Sequence, residues 1–233
     1  MLLLVGCLPS QTATTAVSTP ASTATQTLVS PTLMATQSPT ITVVPTQTIT
    51  QTPEPLGCQK PPEDYTRVDV NNGQTLNQRT LAMLTHAQAL YGGELELTGH
   101  AITQGSYTDA VDASFGTHSG GGAVDLSVLR RGTYTVLWDD LEPLIRALRA
   151  AGFAAWVREY GELHADSPIH IHAIAIGDQE LSTAAADQLT GPSGYFRGYS
   201  GLPIDMYGVP ALDRYGGPIL CQWMIDLGYR DLR

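Results

Sequence analysis

Between residues 10 and 55 the chain is almost entirely Thr, Ser, Pro, Ala, Gln and Val, with recurring Pro-Thr and Thr-Gln-Thr phrases and no sustained apolar period. Such a stretch cannot bury enough apolar surface to offset the entropy of ordering it. Folding is thereby confined to the rest of the chain. Residues 8–57 are expected to form a semi-extended stalk, and residues 58–233 a single globular domain of about 175 residues, long enough to enclose a core.

Charge separates the same two regions. The net charge of −10 falls almost wholly on the domain, because Glu54 is the only acidic or basic residue before Lys60. An acidic domain lacks the clustered Lys and Arg that release counterions from phosphates, which argues against nucleic acid and against anionic lipid headgroups as partners. No run of about 18 apolar residues offers a spanning helix. Residues 1–7, Met-Leu-Leu-Leu-Val-Gly-Cys, resemble the end of a bacterial lipoprotein signal without its charged n-region, so a lipid anchor at Cys7 is the only membrane contact expected. Cys58 and Cys221 lie at opposite ends of the domain with no Cys-x-x-Cys spacing. In an exported chain such a pair favours a disulfide, the alternative being two unpaired thiols.

Within the domain, residues 74–91 carry Leu76, Leu81, Leu84, Ala87 and Leu90 at helical spacing, ended by Gly92-Gly93. Residues 95–103 read as a strand. A glycine-rich turn at 116–122 leads into a strand at 123–128, where Val124, Leu126 and Val128 share one face and Asp125 takes the other. Residues 138–151 show the clearest helix, with Leu141, Leu144, Ile145 and Leu148 on one stripe and Gly152 as its stop. Strands at 153–157 and 169–176 bracket a polar connection containing Glu159, Glu162, His164 and Asp166. From about residue 178 the chain is rich in Gly, Pro and Tyr and reads as an irregular cap. The order predicts an α+β domain with a mainly antiparallel central sheet and flanking helices. Trp138, Trp156 and Trp223 are expected as core anchors.

Chemistry-bearing residues fall in two places. In Thr117-His118-Ser119-Gly120-Gly121-Gly122-Ala123-Val124-Asp125 the glycines permit a tight path and leave space, so that His118 and Asp125 can approach one point. In His170-Ile171-His172 the period of two puts both imidazoles on one strand face while Ile169, Ile171 and Ala173 point to the core. Two His and one Asp would make three zinc ligands and leave a fourth position for water, as a catalytic zinc requires.

These motifs resemble the D-Ala-D-Ala carboxypeptidase and Hedgehog amino-terminal domain superfamily of zinc peptidases. Its peptidase branch carries SxHxxGxAxD: His118, Gly121, Ala123 and Asp125 match in register, and Gly116 stands where the serine would be. The last ligand of that family is often the second histidine of an HxH, the place of His172. The resemblance spans roughly residues 104–177. It implies a Hedgehog/DD-peptidase-like fold, Zn2+ held by His118, Asp125 and His172, and hydrolysis of peptide bonds in bacterial peptidoglycan by a monomer, as a carboxypeptidase or an endopeptidase.

Two departures bear on the mechanism. Many related carboxypeptidases place a glutamate three residues before the final ligand as general base, and here that residue is Ile169. His170 then becomes the expected base, with Asp166, Glu162 and His164 as rivals. Related peptidases also carry a substrate-binding arginine where this chain has Gln104, which can donate an amide hydrogen bond but supplies no charge. That departure favours endopeptidase over carboxypeptidase. Arg158 is either a substitute cation or, more ordinarily, a surface partner of Glu159 or Glu162. The missing glutamate also leaves open a non-catalytic zinc module for wall binding or signalling.

Overall fold

The structure is a computed structural model that describes residues 54–204 and 208–233. They lie in one compact unit, Thr50–Arg233. The lipoprotein-like start and nearly all of the stalk fall outside the described residues. Among the described residues no helix is long and apolar enough to cross a membrane.

The chain runs β1 (Arg67–Asp69), β2 (Thr75–Asn77), α1 (Gln78–Tyr91), β3 (Ile102–Gln104), β4 (Ala123–Ser127), α2 (Leu141–Ala150), β5 (Phe153–Arg158), β6 (His170–Ala175), α3 (Thr183–Thr190) and α4 (Gln222–Asp226). Strands β1 and β2 form a small hairpin. The central sheet has the order β3-β4-β6-β5, with every neighbouring pair antiparallel. The expected α+β class with an antiparallel sheet is therefore found.

One face of the sheet packs on α1 and α2. Val124, Leu126, Val128, Ile169, Ile171 and Ala173 sit in this core with Leu144, Ile145 and Leu148 of the α2 stripe, as the alternation predicts. The opposite face carries a second cluster in which Ala154, Trp156 and Ile174 meet Ala185 and Leu189 of α3 and Trp223 and Met224 of α4. Cys58 and Cys221 are joined by a disulfide that ties the start of the domain to its end across 163 residues of sequence. In the chain-entropy picture a closed loop of that size stabilises by about 4 to 5 kcal/mol.

Several expectations change. Helix α1 starts at Gln78, not at residue 74, because the Asn77 side chain accepts a hydrogen bond from Thr80 N at 2.8 Å and caps it, while Leu76 enters β2. The strand expected at 95–103 is only Ile102–Gln104. Leu95 and Leu97 are buried, but through a turn closed by Gly99 N to Glu96 O. Trp138 is 58% exposed and anchors nothing, whereas Trp156 and Trp223 are buried. The segment after Gly177 is not wholly irregular: Ser182 caps α3 through a bond from Ala185 N at 3.0 Å.

Candidate metal centre

Register places the site. Asp125 on β4 pairs with His172 on β6, and His172 pairs in turn with Trp156 on β5. His170 lies two residues along on the same face, opposite Arg158. His118 comes from the turn before β4. That turn is docked on the segment leading into α3: Gly121 N bonds to Glu180 O at 2.6 Å, and a Cβ on Gly120 would lie 2.3 Å from both Glu180 O and Ser182 N. The glycine there permits close backbone approach, a different reason from the expected space over the site.

His118, Asp125 and His172 are all buried, and their ligand atoms lie within 4.8 Å of one another. The outer hydrogen bonds define which ring nitrogens are free. His118 Nδ1 contacts Gly105 O at 2.7 Å, and a carbonyl only accepts, so Nδ1 carries the proton and Nε2 offers a lone pair. That Nε2 lies 3.3 Å from Asp125 Oδ1 yet has no hydrogen-bond partner among the described residues. His172 Nδ1 lies 2.7 Å from the same Asp125 oxygen and Nε2 lies 3.0 Å from the Gln188 amide: a proton on Nδ1 is donated to Asp125, and a proton on Nε2, donated to Gln188, frees the Nδ1 lone pair for a metal. Two imidazole nitrogens and a carboxylate oxygen thus converge on one point, and this donor set can hold a metal ion.

The electrostatics of the three groups are coupled. Burial pushes the Asp125 carboxyl upward, but the neighbouring His118 and His172 outweigh it and hold the carboxyl well below its ordinary range. Burial acts against charge on His118 too, and the Asp125 carboxylate overcomes it, so the His118 pKa is raised. At His172 burial prevails and lowers the pKa to about 4, which keeps this imidazole neutral at physiological pH. A proton between His118 and Asp125 and a divalent ion would compete for the same lone pairs.

Of the other expected residues, His170 is brought to the cluster. Its Nδ1 meets Pro168 O at 2.8 Å, which leaves Nε2 as an acceptor 3.7 Å from Asp125 Oδ2. Gln104 lines the same cleft, with its amide engaged by Ser114 Oγ at 2.9 Å. Asp166 is exposed on the preceding loop and lines neither cleft that the cluster opens into. Glu162 is turned away to Arg214 and to Glu159 N, and His164 stands exposed at the rim. The cleft has two arms that share Asp125 and His170. One, of about 280 Å³, has apolar walls that include Val111, Leu129, Leu163 and Ile169. The other is lined by Arg158, His172 and Gln188.

Sequence reasoning missed Gln188 and misjudged Arg158. Gln188 lies on α3, inside the segment expected to be irregular, and the Ser182-Thr183-Ala184-Ala185-Ala186 start of that helix was its readable signal. Arg158 is not a surface partner of Glu159 or Glu162: it is 2% exposed, and both glutamates pair with Arg214. Compared with family models, with curated proteins and with solved structures, the chain matches none. The functional reading therefore rests on the site.

Proposed function

We propose that the protein is a zinc-dependent peptidase that hydrolyses peptide bonds of bacterial peptidoglycan on a Hedgehog/DD-peptidase-like fold. The observation that carries this reading is the convergence of lone pairs from His118 Nε2, His172 Nδ1 and Asp125 Oδ1 beside an open cleft. Two imidazoles and one carboxylate suit zinc, and these are the residues that the resemblance to HxxGxAxD and HxH selects. When bound, zinc supplies Lewis-acid polarisation of the scissile carbonyl and makes a water more acidic.

The chain's own residues do the remaining work. Gly105 O and Gln188 Oε1 hold the two ligand imidazoles in the required tautomers and orientations. His170, held by Pro168 O, presents Nε2 to accept a proton from the attacking water and return it to the leaving nitrogen as the C–N bond breaks. The apolar arm excludes water from one side of the reacting bond. The disulfide supports an extracytoplasmic location, and a stalk over residues 8–57 with a lipid anchor at Cys7 belongs to the same proposal.

A second reading, a non-catalytic zinc-containing wall-binding or signalling module, draws support from Ile169. This residue is core-buried at the position where the resembled carboxypeptidases carry their glutamate. The full chain incubated with purified peptidoglycan, with products analysed by mass spectrometry and zinc by elemental analysis, separates the two. The peptidase reading expects one equivalent of zinc and released peptide or amino acid products. His172→Ala should lose both the metal and the hydrolysis. His170→Ala should keep the zinc and lose about 10²- to 10⁴-fold in rate. Stoichiometric zinc with intact peptidoglycan would transfer support to the binding module.

A further inference from the structure

The larger arm of the cleft is the part of this site that the metal cluster leaves unused. Thr103, Ser127 and His170 line it beside Asp125, from β3, β4 and β6, and its walls are Val111, Ala113, Leu129, Leu163 and Pro168. At about 280 Å³ it is close to twice the size of an apolar cavity of about 150 Å³, which is enough to hold a benzene ring. The arm beside Arg158 and His172 offers only about 20 Å³, room for about one water molecule. The bulk of a ligand that reaches the cluster is therefore accommodated on the apolar side.

That side is also electrically neutral. Among the described residues no Lys or Arg lines it, and its one carboxylate is Asp125, which belongs to the cluster. The polar side chains around its floor are engaged within the protein. Gln104 and Ser114 bond each other, Thr103 Oγ1 donates to Asp125 O at 3.2 Å, and Ser127 Oγ accepts from Leu129 N at 3.2 Å. An ammonium entering the arm would give up hydration and find its only carboxylate committed, and an acidic group would find no Lys or Arg. An apolar group would instead shed water from itself and from Val111, which is 43% exposed at the wall.

We propose that this arm is a subsite for one bulky, uncharged apolar side chain of the peptide substrate, leucine to phenylalanine in size, next to the scissile bond. The inference rests on the peptidase reading above and says which peptide bonds that chemistry selects. Because the two arms meet at Asp125 and His170, a side chain seated in this one holds its own backbone at the reacting position, so the burial that binds the substrate also orients it. An alanine methyl would leave most of the arm unfilled, and bonds flanked by alanine alone are poor substrates. The subsite reads a side chain and asks for no chain terminus, in keeping with the uncharged amide of Gln104.

The test uses the full chain loaded with zinc and four hydroxamates that share one metal-binding group and differ in what it carries: methyl, isobutyl, benzyl or 4-aminobutyl. Affinity is measured by calorimetry. With about fourfold gained per methylene buried, the isobutyl and benzyl probes should bind about 10- to 100-fold more tightly than the methyl probe, and the aminobutyl cation within about threefold of methyl. Ala113→Phe, which fills the arm, should bring isobutyl within about threefold of methyl, and Val111→Asp, which puts a carboxylate in the wall, should make aminobutyl bind more tightly than isobutyl. Failure of every probe to bind, equal binding of isobutyl and methyl by the unmodified chain, or an isobutyl preference that survives in Ala113→Phe overturns the assignment. If Ala113→Phe does not fold, the unmodified chain and Val111→Asp still decide. Turnover is read separately by mass spectrometry on capped alanine peptides carrying one leucine, phenylalanine or lysine in the L or D form, and cleavage is expected beside leucine and phenylalanine. Cleavage without side-chain preference upholds the peptidase reading and overturns the subsite. Apolar-selective binding that Ala113→Phe abolishes, without cleavage of any peptide, upholds the subsite and refutes the peptidase reading instead.

Discussion

Arg149 at the end of α2 and Arg158 at the end of β5 are both almost fully buried, and their surroundings could hardly differ more. Arg149 donates to Ala155 O, Tyr215 O and Gly217 O and pairs with Asp213 at 2.6 Å, so every nitrogen of its guanidinium has an acceptor. Among the described residues Arg158 donates once from its side chain, to Ser200 O, and Nη2 is left over. A few ångströms from Asp125, His118 Nε2 is likewise buried and unpartnered. Unpartnered buried atoms also occur away from the cleft, at Arg79 Nε, Thr80 Oγ1, His100 Nε2 and Trp223 Nε1, so an orphaned atom alone does not mark a site. What sets His118 Nε2 and Arg158 Nη2 apart is that both line one cleft beside Asp125 where β4, β5 and β6 meet, and that is how a ligand site differs from a structural clasp.

The sharpest way to break this comparison is to remove both cations. Arg149→Met strands the Asp213 carboxylate, whose side chain is 1% exposed, together with three carbonyls. Breaking a buried pair in this way should cost about 3 to 5 kcal/mol, read by urea unfolding with the disulfide intact. Arg158→Met removes a buried cation that has no ion-pair partner among the described residues, and should cost about 1 kcal/mol or less. Equal losses would mean that Arg158 is a second clasp, and the contrast drawn above would disappear.

Gln188 tests the boundary between clasp and site, since it belongs to α3 but touches a ligand histidine. Its amide oxygen can accept an Nε2 proton from His172 and so free Nδ1 for a metal, while Trp156 stacks on the ring with centroids 6.1 Å apart. Gln188→Leu should weaken zinc binding by about 10- to 100-fold, measured by chelator competition, with little change in the unfolding midpoint. Unchanged zinc affinity would show that Trp156 alone orients the ring.

These residues also show what could be read from sequence. His118, Asp125, His170 and His172 were legible because a period of two and a short glycine turn are local rules. The faces those rules assign, including Val124, Leu126 and Ile171 towards the core, are the ones observed. Gln188 and Arg158 were not, because their meaning depends on which strand or helix arrives opposite them. Arg158 looked like a surface residue beside two glutamates until Arg214, more than 50 residues later, took both. The β1–β2 hairpin did have a local signal, Asn71-Asn72-Gly73 with Asn72 at φ 57°, but the helical spacing that begins at Leu76 masked it.

Asp166 gives the smallest expected effect and sharpens the comparison from the other side. Sequence proximity made it a rival to His170 as general base, yet it is exposed, makes no side-chain hydrogen bond or ion pair among the described residues, and lines neither arm of the cleft. A proton acceptor must come within hydrogen-bond reach of the reacting water, and His170 Nε2, 3.7 Å from Asp125, is the group so placed. Asp166→Asn should therefore change kcat/KM by less than about twofold and stability by less than about 0.5 kcal/mol, as an exposed polar substitution does. A loss of activity in Asp166→Asn that matches or exceeds that in His170→Ala would mean that the 159–168 loop closes over the cleft when substrate binds. The general base would then be a residue that the ligand itself delivers, and burial would no longer distinguish the site from its surroundings.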